Sequence, residues 1–82
     1  MISSEQMRAA RALLKWDQKT LAIASKVSIA TIKRLEPLTG PLQANEVTIE
    51  AIRRAFEAAG VEFIEENGGG AGVRFAQRRD SF

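Results

Sequence analysis

DQKTLAIASKVSIATIKRLE, residues 17–36, contains two short helical patterns that follow each other with almost no linker. Asp17 is a good N-cap for the first pattern, QKTLAIAS, because its side chain can accept a hydrogen bond from a free backbone N–H of the first turn. Ser28 caps the second pattern, IATIKRLE, whose Ile32 and Leu35 are three residues apart and therefore share one helix face. The stretch predicts two consecutive helices.

The turn between these two helices has room for only Lys26 and Val27. The helices must therefore cross at a steep angle, as in a helix-turn-helix. The second helix should bury the face that carries Val27, Ile32 and Leu35. Its outward face has small residues first and cations further along, which fits a DNA major groove, where Arg binds guanine and Lys or Arg holds phosphate. The outward residues are Ser28, Ile29, Ala30, Lys33 and Arg34.

Helices are also predicted on both sides of this pair. Ser3 and Gln6 fit a capping box at the start of a helix over EQMRAARALL. PLTGPLQA, residues 37–44, predicts a loop, after which Asn45 is placed to cap EVTIEAIRRAFEAA. Gly60 ends this last helix, because glycine readily takes positive φ. The predicted apolar stripe of the last helix is Ile49, Ile52, Phe56 and Ala59.

Two short alternating runs, VEFI and VRF, flank the glycine-rich segment EENGGGAG. They predict two strands joined by a loose eight-residue turn. The glycines also suggest a phosphate cradle, but that motif needs a helix N-terminus after it, whereas VRF favours a strand. We therefore favour a β-hairpin over nucleotide binding, and we expect residues 77–82 to form a flexible tail.

The chain has no cysteine and no histidine. This composition excludes disulfides, metal sites built on thiolate or imidazole, thiol nucleophiles and triads built on histidine. Glu65 and Glu66 are adjacent in the glycine-rich segment, where solvated loop charges are the expected interpretation rather than an acid/base pair. We expect a protein that is not an enzyme and that has no cofactor and no metal.

Length and hydropathy also limit the possibilities. A domain of 82 residues has a thin stability margin, which a partner subunit would improve. No apolar run approaches the roughly 20 residues of a membrane span, and MISSEQMRAAR lacks the pattern of a signal peptide. We expect a cytoplasmic protein that does not bind a membrane.

The net charge of +2 hides an uneven distribution. Residues 1–36 carry seven basic and three acidic side chains, which gives +4, and residues 37–67 carry two basic and six acidic side chains, which gives −4. A basic half beside an acidic middle suggests one surface for a polyanion and another that avoids it. Scattered surface charge is the simpler alternative.

The stretch DQKTLAIASKVSIATIKRLE resembles the helix-turn-helix of the Xre/Cro-type transcriptional regulators, the group of the lambdoid phage repressors. The resemblance extends back to Ser3 and forward past the loop to IEAIRRAF, so it covers about residues 3–59. The positions that match the family pattern are Gln18, Leu21, Ala22, Val27, Ser28, Ile32, Leu35 and Glu36.

This resemblance implies DNA contacts from both helices of the pair. It implies that Gln18 anchors to a phosphate and that Lys33 reaches a base or the backbone. Lys19, near the start of the first helix of the pair, is expected to strengthen binding to all sequences about equally. The residues implied to face the bases are Ser28, Ile29, Ala30 and Arg34.

The resemblance also implies a largely buried ion pair between Arg11 and Glu36, which would tie the first helix to the third. A solvated helix charge is the alternative for Arg11. Lys26 and Lys15 depart from the family, which usually has glycine at both positions. Lysine at positive φ costs of order 1 kcal/mol, so either the backbone differs or the added charge compensates by contacting DNA phosphate. We count Lys26 among the expected DNA contacts.

These observations and the resemblance together predict an all-α fold. A four- to five-helix lambda-repressor-like helix-turn-helix domain would occupy residues 1–60, with a short C-terminal β-hairpin or strand pair at 61–76. The expected function is sequence-specific binding of double-stranded DNA, as a homodimer on a near-palindromic operator, to regulate transcription, with a repressor as the expected type. The alternative is a protein-interaction module on the same scaffold, such as an antitoxin-like or anti-activator partner.

The predicted hairpin offers a way to form that dimer. A lone two-stranded sheet is marginal in water and has unpaired backbone groups at its edges. A second copy could cover the edges by forming a shared sheet about a two-fold axis. The alternative is that the hairpin packs on its own helices as a lid. The residues expected between subunits are Val61, Phe63, Ile64, Val73 and Phe75.

Overall fold

The computed structural model describes residues 2–78 and contains four helices followed by a two-stranded antiparallel sheet. The helices are α1 (Ser4–Leu14), α2 (Gln18–Ser25), α3 (Ile29–Leu35) and α4 (Glu46–Ala58), and the strands are β1 (Val61–Ile64) and β2 (Gly72–Phe75). None of the helices within residues 2–78 combines the length and the apolarity that a membrane crossing requires. Most of the predicted flexible tail, residues 79–82, lies outside the described residues.

The four predicted N-caps are confirmed. Ser3 and Gln6 form the complete capping box, in which the Ser3 N–H donates to Gln6 Oε1 at 2.9 Å. Asp17, Ser28 and Asn45 each accept a hydrogen bond from the backbone N–H three residues further along. The N–H of Thr20 is the main cause that holds the pKa of Asp17 below its usual value.

Residues from all four helices and from β1 form one hydrophobic core. Its centre is Phe56, which stacks on Trp16 with ring centroids 5.8 Å apart and meets Phe63 edge to face at 6.0 Å. Since the hairpin contributes Phe63 and the helices contribute the other two rings, the sheet and the helices share this core. The buried apolar residues are Ile2, Met7, Ala10, Leu21, Ile32, Leu35, Leu42, Ile52, Ala55, Phe56 and Val61.

The loop at 37–44 is held against the N-terminus of the chain. The Ser4 N–H donates to the Gly40 carbonyl at 2.9 Å, and the Leu42 N–H donates to the Ile2 carbonyl at 3.1 Å. This short antiparallel contact buries the side chains of Ile2 and Leu42, which the sequence analysis did not assign to the core. The pairing leaves the loop with a fixed path between α3 and α4.

The hairpin is clamped at both ends. Its strands pair antiparallel from Val61 opposite Phe75 to Ile64 opposite Gly72. At the base, the Ala76 N–H donates to the Gly60 carbonyl at 2.8 Å. At the other end, the buried side-chain amide of Gln6 donates to the Gly72 carbonyl at 3.0 Å and to the Ile64 carbonyl at 3.4 Å. The hairpin therefore packs on α1 and α4 of its own chain.

The predicted all-α class is wrong. The described residues form a mixed α and β structure, in which a two-stranded antiparallel sheet packs on α1 and α4 and supplies Val61 to the core. The prediction treated the hairpin as an appendage to a lambda-repressor-like helical domain. No break in the core separates residues 61–76 from the helices, because Val61 is only 2% exposed.

We expect Val61→Ala to lower the free energy of unfolding by about 2 kcal/mol, because the substitution removes apolar contacts from a buried site. Val47→Ala is the matched control. Val47 is 80% exposed on α4, so its truncation should change stability by no more than about 0.5 kcal/mol. Denaturant unfolding of both variants measures the difference, and equal stabilities would contradict the position of Val61 in the core.

Candidate nucleic-acid interface

The turn between α2 and α3 has a left-handed residue at its centre. Lys26 has φ 60° and ψ 26°, so the backbone takes the conformation that glycine adopts most readily. Ser25 supports this turn, since its hydroxyl donates to the Leu21 carbonyl at 2.7 Å and accepts from the Val27 N–H at 3.3 Å. Lys15 is also left-handed, with φ 56°. Both lysines therefore keep the left-handed backbone of the family's glycine positions, which excludes the alternative that the backbone differs there.

The two faces of α3 differ completely in exposure. Ile32 and Leu35 are fully buried, and Val27 in the preceding turn packs against the same core. The opposite face lies in solvent, and Ile29 is 40% exposed although it is apolar. The exposed residues on this face are Ser28, Ile29, Ala30, Lys33 and Arg34. The face that the sequence analysis assigned to DNA is thus accessible.

Two residues of this exposed face also make contacts within the chain. The Ser28 hydroxyl accepts from the Thr31 N–H at 3.2 Å and donates to the Thr31 Oγ1 at 2.9 Å, so it is occupied by capping. Arg34 Nη1 donates to the Gln43 carbonyl at 3.3 Å, which is a long and exposed hydrogen bond. Arg34 can therefore exchange this contact for a ligand at low cost, whereas Ser28 is more constrained.

The cations around α3 are open to solvent. Lys19 at the start of α2, Lys26 in the turn and Lys33 on α3 are all exposed. Within residues 2–78, neither Lys26 nor Lys33 forms an ion pair. Several exposed cations close to one helix are the arrangement expected of a surface that contacts phosphate.

Arg11 and Glu36 form an ion pair between α1 and the end of α3. The Arg11 Nε donates to Glu36 Oε2 at 2.7 Å and Nη2 donates to Oε1, so the contact is bidentate. The two side chains are 22% and 9% exposed. The hydrogen bonds with Glu36 are the main cause that raises the pKa of Arg11 above its usual value. Arg11 Nη1 also donates to the Trp16 carbonyl at 2.6 Å, which reaches the turn before α2.

Gln18 belongs to the same network. Its side-chain Nε2 donates to Glu36 Oε1 at 3.1 Å, and the residue is half-buried. The resemblance implied that Gln18 anchors to a phosphate. A side-chain amide has two N–H donors, so the contact with Glu36 leaves one donor for a further acceptor. The carboxylate of Glu36 therefore orients an amide at the N-terminus of α2.

Two further side chains of α1 hold the end of α3. The Ser4 hydroxyl donates to the Leu35 carbonyl at 2.9 Å. Arg8 Nη1 donates to the Leu38 carbonyl at 2.8 Å and also to the Glu36 carbonyl. We call Ser4, Arg8 and Arg11 the α1 anchor. Ser4 and Arg8 were not predicted as contacts, although their spacing of four residues, followed by three to Arg11, places all three on one face of α1.

The acidic middle of the chain is partly neutralised by local pairs. Arg74 Nη2 lies 2.9 Å from Glu62 Oε2 across the hairpin, and this contact raises the pKa of Arg74. On α4, Glu50 lies 3.4 Å from both Arg53 and Arg54. In these pairs, which lie on α4 and the hairpin, the acidic side chains contact arginines and not the lysines around α3.

The residues expected between subunits lie mostly against their own core. Val61 is buried, and Phe63 and Val73 pack on the same core. Ile64 and Phe75 are half-buried. This placement corresponds to the alternative in which the hairpin packs on its own helices, and Val61 has no surface to offer a second subunit.

Comparison with known proteins assigns no family. The sequence matches no protein-family model, and no curated protein is significantly similar to it. The residues and their geometry therefore carry the functional inference.

We expect Arg11→Met to lower the free energy of unfolding by about 3 kcal/mol. The substitution leaves the nearly buried carboxylate of Glu36 without its cation, and the value is at the low end for breaking a buried pair because Arg11 is 22% exposed. Arg54→Met is the matched control, since its pair with Glu50 is exposed and should contribute less than about 1 kcal/mol. Denaturant unfolding would show similar losses for both variants if Arg11 were only a solvated charge.

Proposed function

We propose that this protein binds double-stranded DNA and regulates transcription, with α3 as the helix that enters the major groove. The observation that carries the proposal is the contrast between the two faces of α3. One face is fixed in the core through Ile32 and Leu35, while the other is exposed and becomes cationic toward its C-terminal end. This exposed face carries two adjacent cations, Lys33 and Arg34, one turn beyond its first residues.

The shape of the exposed face suits a groove. Ile29 and Ala30, in the first turn of α3, carry no charge, and Ala30 is small, so bases can approach this turn closely. Their apolar side chains would contact thymine methyl groups, while Arg34, one turn further, can bind guanine through two hydrogen bonds. We propose that sequence preference depends on these contacts and on DNA shape.

The charge of the surrounding residues supports affinity. The exposed Lys19, Lys26 and Lys33 can each neutralise a phosphate, and the +4 charge of residues 1–36 attracts a polyanion from a distance. The left-handed backbone at Lys26 adds a specific reason. A lysine at a position that favours glycine costs stability, and a phosphate contact would compensate for that cost in function.

The α1 anchor supports the proposal through rigidity. Three side chains of α1 hold the carbonyl end of α3, and Glu36 orients the Gln18 amide at the start of α2. Recognition requires that base-contacting and phosphate-contacting groups keep a fixed separation. In this proposal the network fixes the recognition helix relative to the phosphate contact at Gln18.

The resemblance to the Xre/Cro-type regulators agrees with this function. We propose that a homodimer, in the cytoplasm, binds a near-palindromic operator, because one small domain with few contacts would bind a single site weakly. The exposed parts of Ile64 and Phe75 and the outer edges of the hairpin are the surface that we propose for the second subunit, without Val61.

Selection of duplexes from a random library, read by sequencing, tests the proposal. We expect an enriched motif with two related half-sites about one helical turn apart. A single half-site would contradict the dimer but retain DNA binding. If the protein bound no duplex at low salt, the DNA-binding proposal would be contradicted and the protein-interaction module would be favoured.

The affinity for the selected duplex should fall steeply as salt rises. Each neutralised phosphate releases counterions, so log K should decrease with log salt by a slope of about 0.9 per phosphate contacted. Titrations at several salt concentrations measure this slope. A response that does not depend on salt would contradict the role given to the exposed lysines.

Arg34→Ala and Lys19→Ala should have different effects on DNA binding, the first on base preference and the second on overall affinity. We expect Arg34→Ala to cost about 1–3 kcal/mol of binding and to relax the preference at one base pair. Lys19→Ala should weaken binding to all sequences about equally, because a phosphate contact carries no base information. Repeating the library selection with both variants separates the two effects, and an unchanged motif for Arg34→Ala would show that Arg34 reads no base.

Lys26→Asn tests the left-handed lysine. Asparagine tolerates this backbone conformation, so the fold should be preserved while the charge is lost. We expect the salt slope to decrease by about 1 and the thermal stability to be equal or higher. Lys26→Arg is the control that retains the charge, and its slope should match that of the unchanged protein. Equal slopes for Lys26→Asn and Lys26→Arg would show that this lysine contacts no phosphate.

A further inference from the structure

The turn between β1 and β2 contains an asparagine directly followed by a glycine, Asn67 and Gly68. All residues from 65 to 71 are exposed. A Cβ atom added at Gly68, Gly69 or Gly70 would have no heavy atom within 4 Å outside the adjacent residues. Residues 68–70, which follow Asn67, therefore border open space, and Gly68, with φ 104°, puts no side chain beside its own backbone nitrogen.

We propose that Asn67 is a site of spontaneous deamidation. The backbone nitrogen of Gly68 attacks Cγ of the Asn67 side-chain amide and forms a new C–N bond. The nitrogen loses its proton, the side-chain amide nitrogen leaves as ammonia, and a cyclic imide remains. Water then opens one of the two imide carbonyls, which gives aspartate or isoaspartate. The step needs no oxidant, metal or catalytic group.

The other asparagine of the sequence, Asn45, provides an internal comparison. Its Oδ1 accepts a hydrogen bond from the Thr48 N–H at 2.8 Å, and the next residue, Glu46, is the first residue of α4. The side chain and the following backbone nitrogen are thus held in the cap geometry, and Glu46 carries a side chain that crowds the attack. Helix capping protects Asn45, whereas the open turn leaves Asn67 reactive.

The product should remain folded. The ends of the turn are fixed independently of its interior, because the amide of Gln6 donates to the carbonyls of Ile64 and Gly72 on either side. Isoaspartate adds one carbon to the backbone, and the open space around the turn can accept the longer path. The chain gains one negative charge within its acidic middle segment.

Incubation of the full-length protein at physiological temperature and mildly alkaline pH tests the proposal. Mass spectrometry of its peptides should show loss of the amide from the peptide with Asn67, at a rate that rises with pH, and retention of the amide at Asn45. Enzymatic methylation of isoaspartate distinguishes the two products. The isoelectric point should shift to lower pH, and the thermal midpoint should not change.

Two controls make the test decisive. Asn67→Gln should abolish the charge shift, because the longer side chain forms the cyclic imide far less readily. In denaturant, Asn45 should lose its protection and react faster, while the rate at Asn67 should hardly change. A stable amide at Asn67 under native conditions would overturn the proposal, as would equal rates at both asparagines in the folded protein.

Discussion

The rest of the structure depends on how the carbonyl end of α3 is held. An α-helix ends with carbonyl groups that have no partner within the helix, and α3 has only seven residues. Such a short helix is unstable alone, so its orientation is set by the packing of Ile32 and Leu35 in the core and by what holds its end. Ser4 donates to the carbonyl of Leu35, and Arg8 donates to the carbonyls of Glu36, the C-cap, and of Leu38 in the loop that follows. Arg11 binds the carboxylate of Glu36. One face of α1 thereby fixes the helix whose other side is exposed.

The centre of this contact is a carboxylate that is nearly removed from water. Glu36 is 7% exposed and has acceptor capacity for several hydrogen bonds. Arg11 supplies two of them and Gln18 a third, so the charge is both paired and solvated by the protein. Such an arrangement contributes little net stability compared with apolar packing, but it has a strict geometry. It links α1, the start of α2 and the end of α3 through one side chain.

The hairpin has a second, independent role in the fold. It covers α1 and α4, and Val61 and Phe63 extend the core beyond what four short helices could bury. A small domain buries little apolar surface, so its stability depends on packing the apolar side chains of the hairpin into the core. The cost is that residues expected at a subunit interface are occupied inside the subunit. Residues 65–71, in the turn between the two strands, are the part of the hairpin that is exposed throughout.

The sequence by itself determined the local elements. The four caps, the two faces of α3 and the strands of the hairpin follow from hydrogen-bonding side chains and apolar spacing within a few residues. The left-handed backbone at Lys26 was left open at the sequence level, where a different backbone was the alternative, and the structure decided it. The pair Arg11 and Glu36 came from a resemblance, since no local spacing joins residues so far apart.

Only the tertiary structure decided which distant residues meet. The burial of Ile2 and Leu42, the donation of Arg8 to backbone carbonyls and the position of Val61 in the core all join parts of the chain that are far apart in sequence. Such contacts leave no periodic signal in the sequence. Nothing in the residues around Arg8 or Leu42 distinguishes them from an exposed arginine or an exposed apolar loop residue. The fold class was mistaken for the same reason. A strand pattern predicts a strand, but whether that strand covers a core or a partner depends on the surface that packing leaves open.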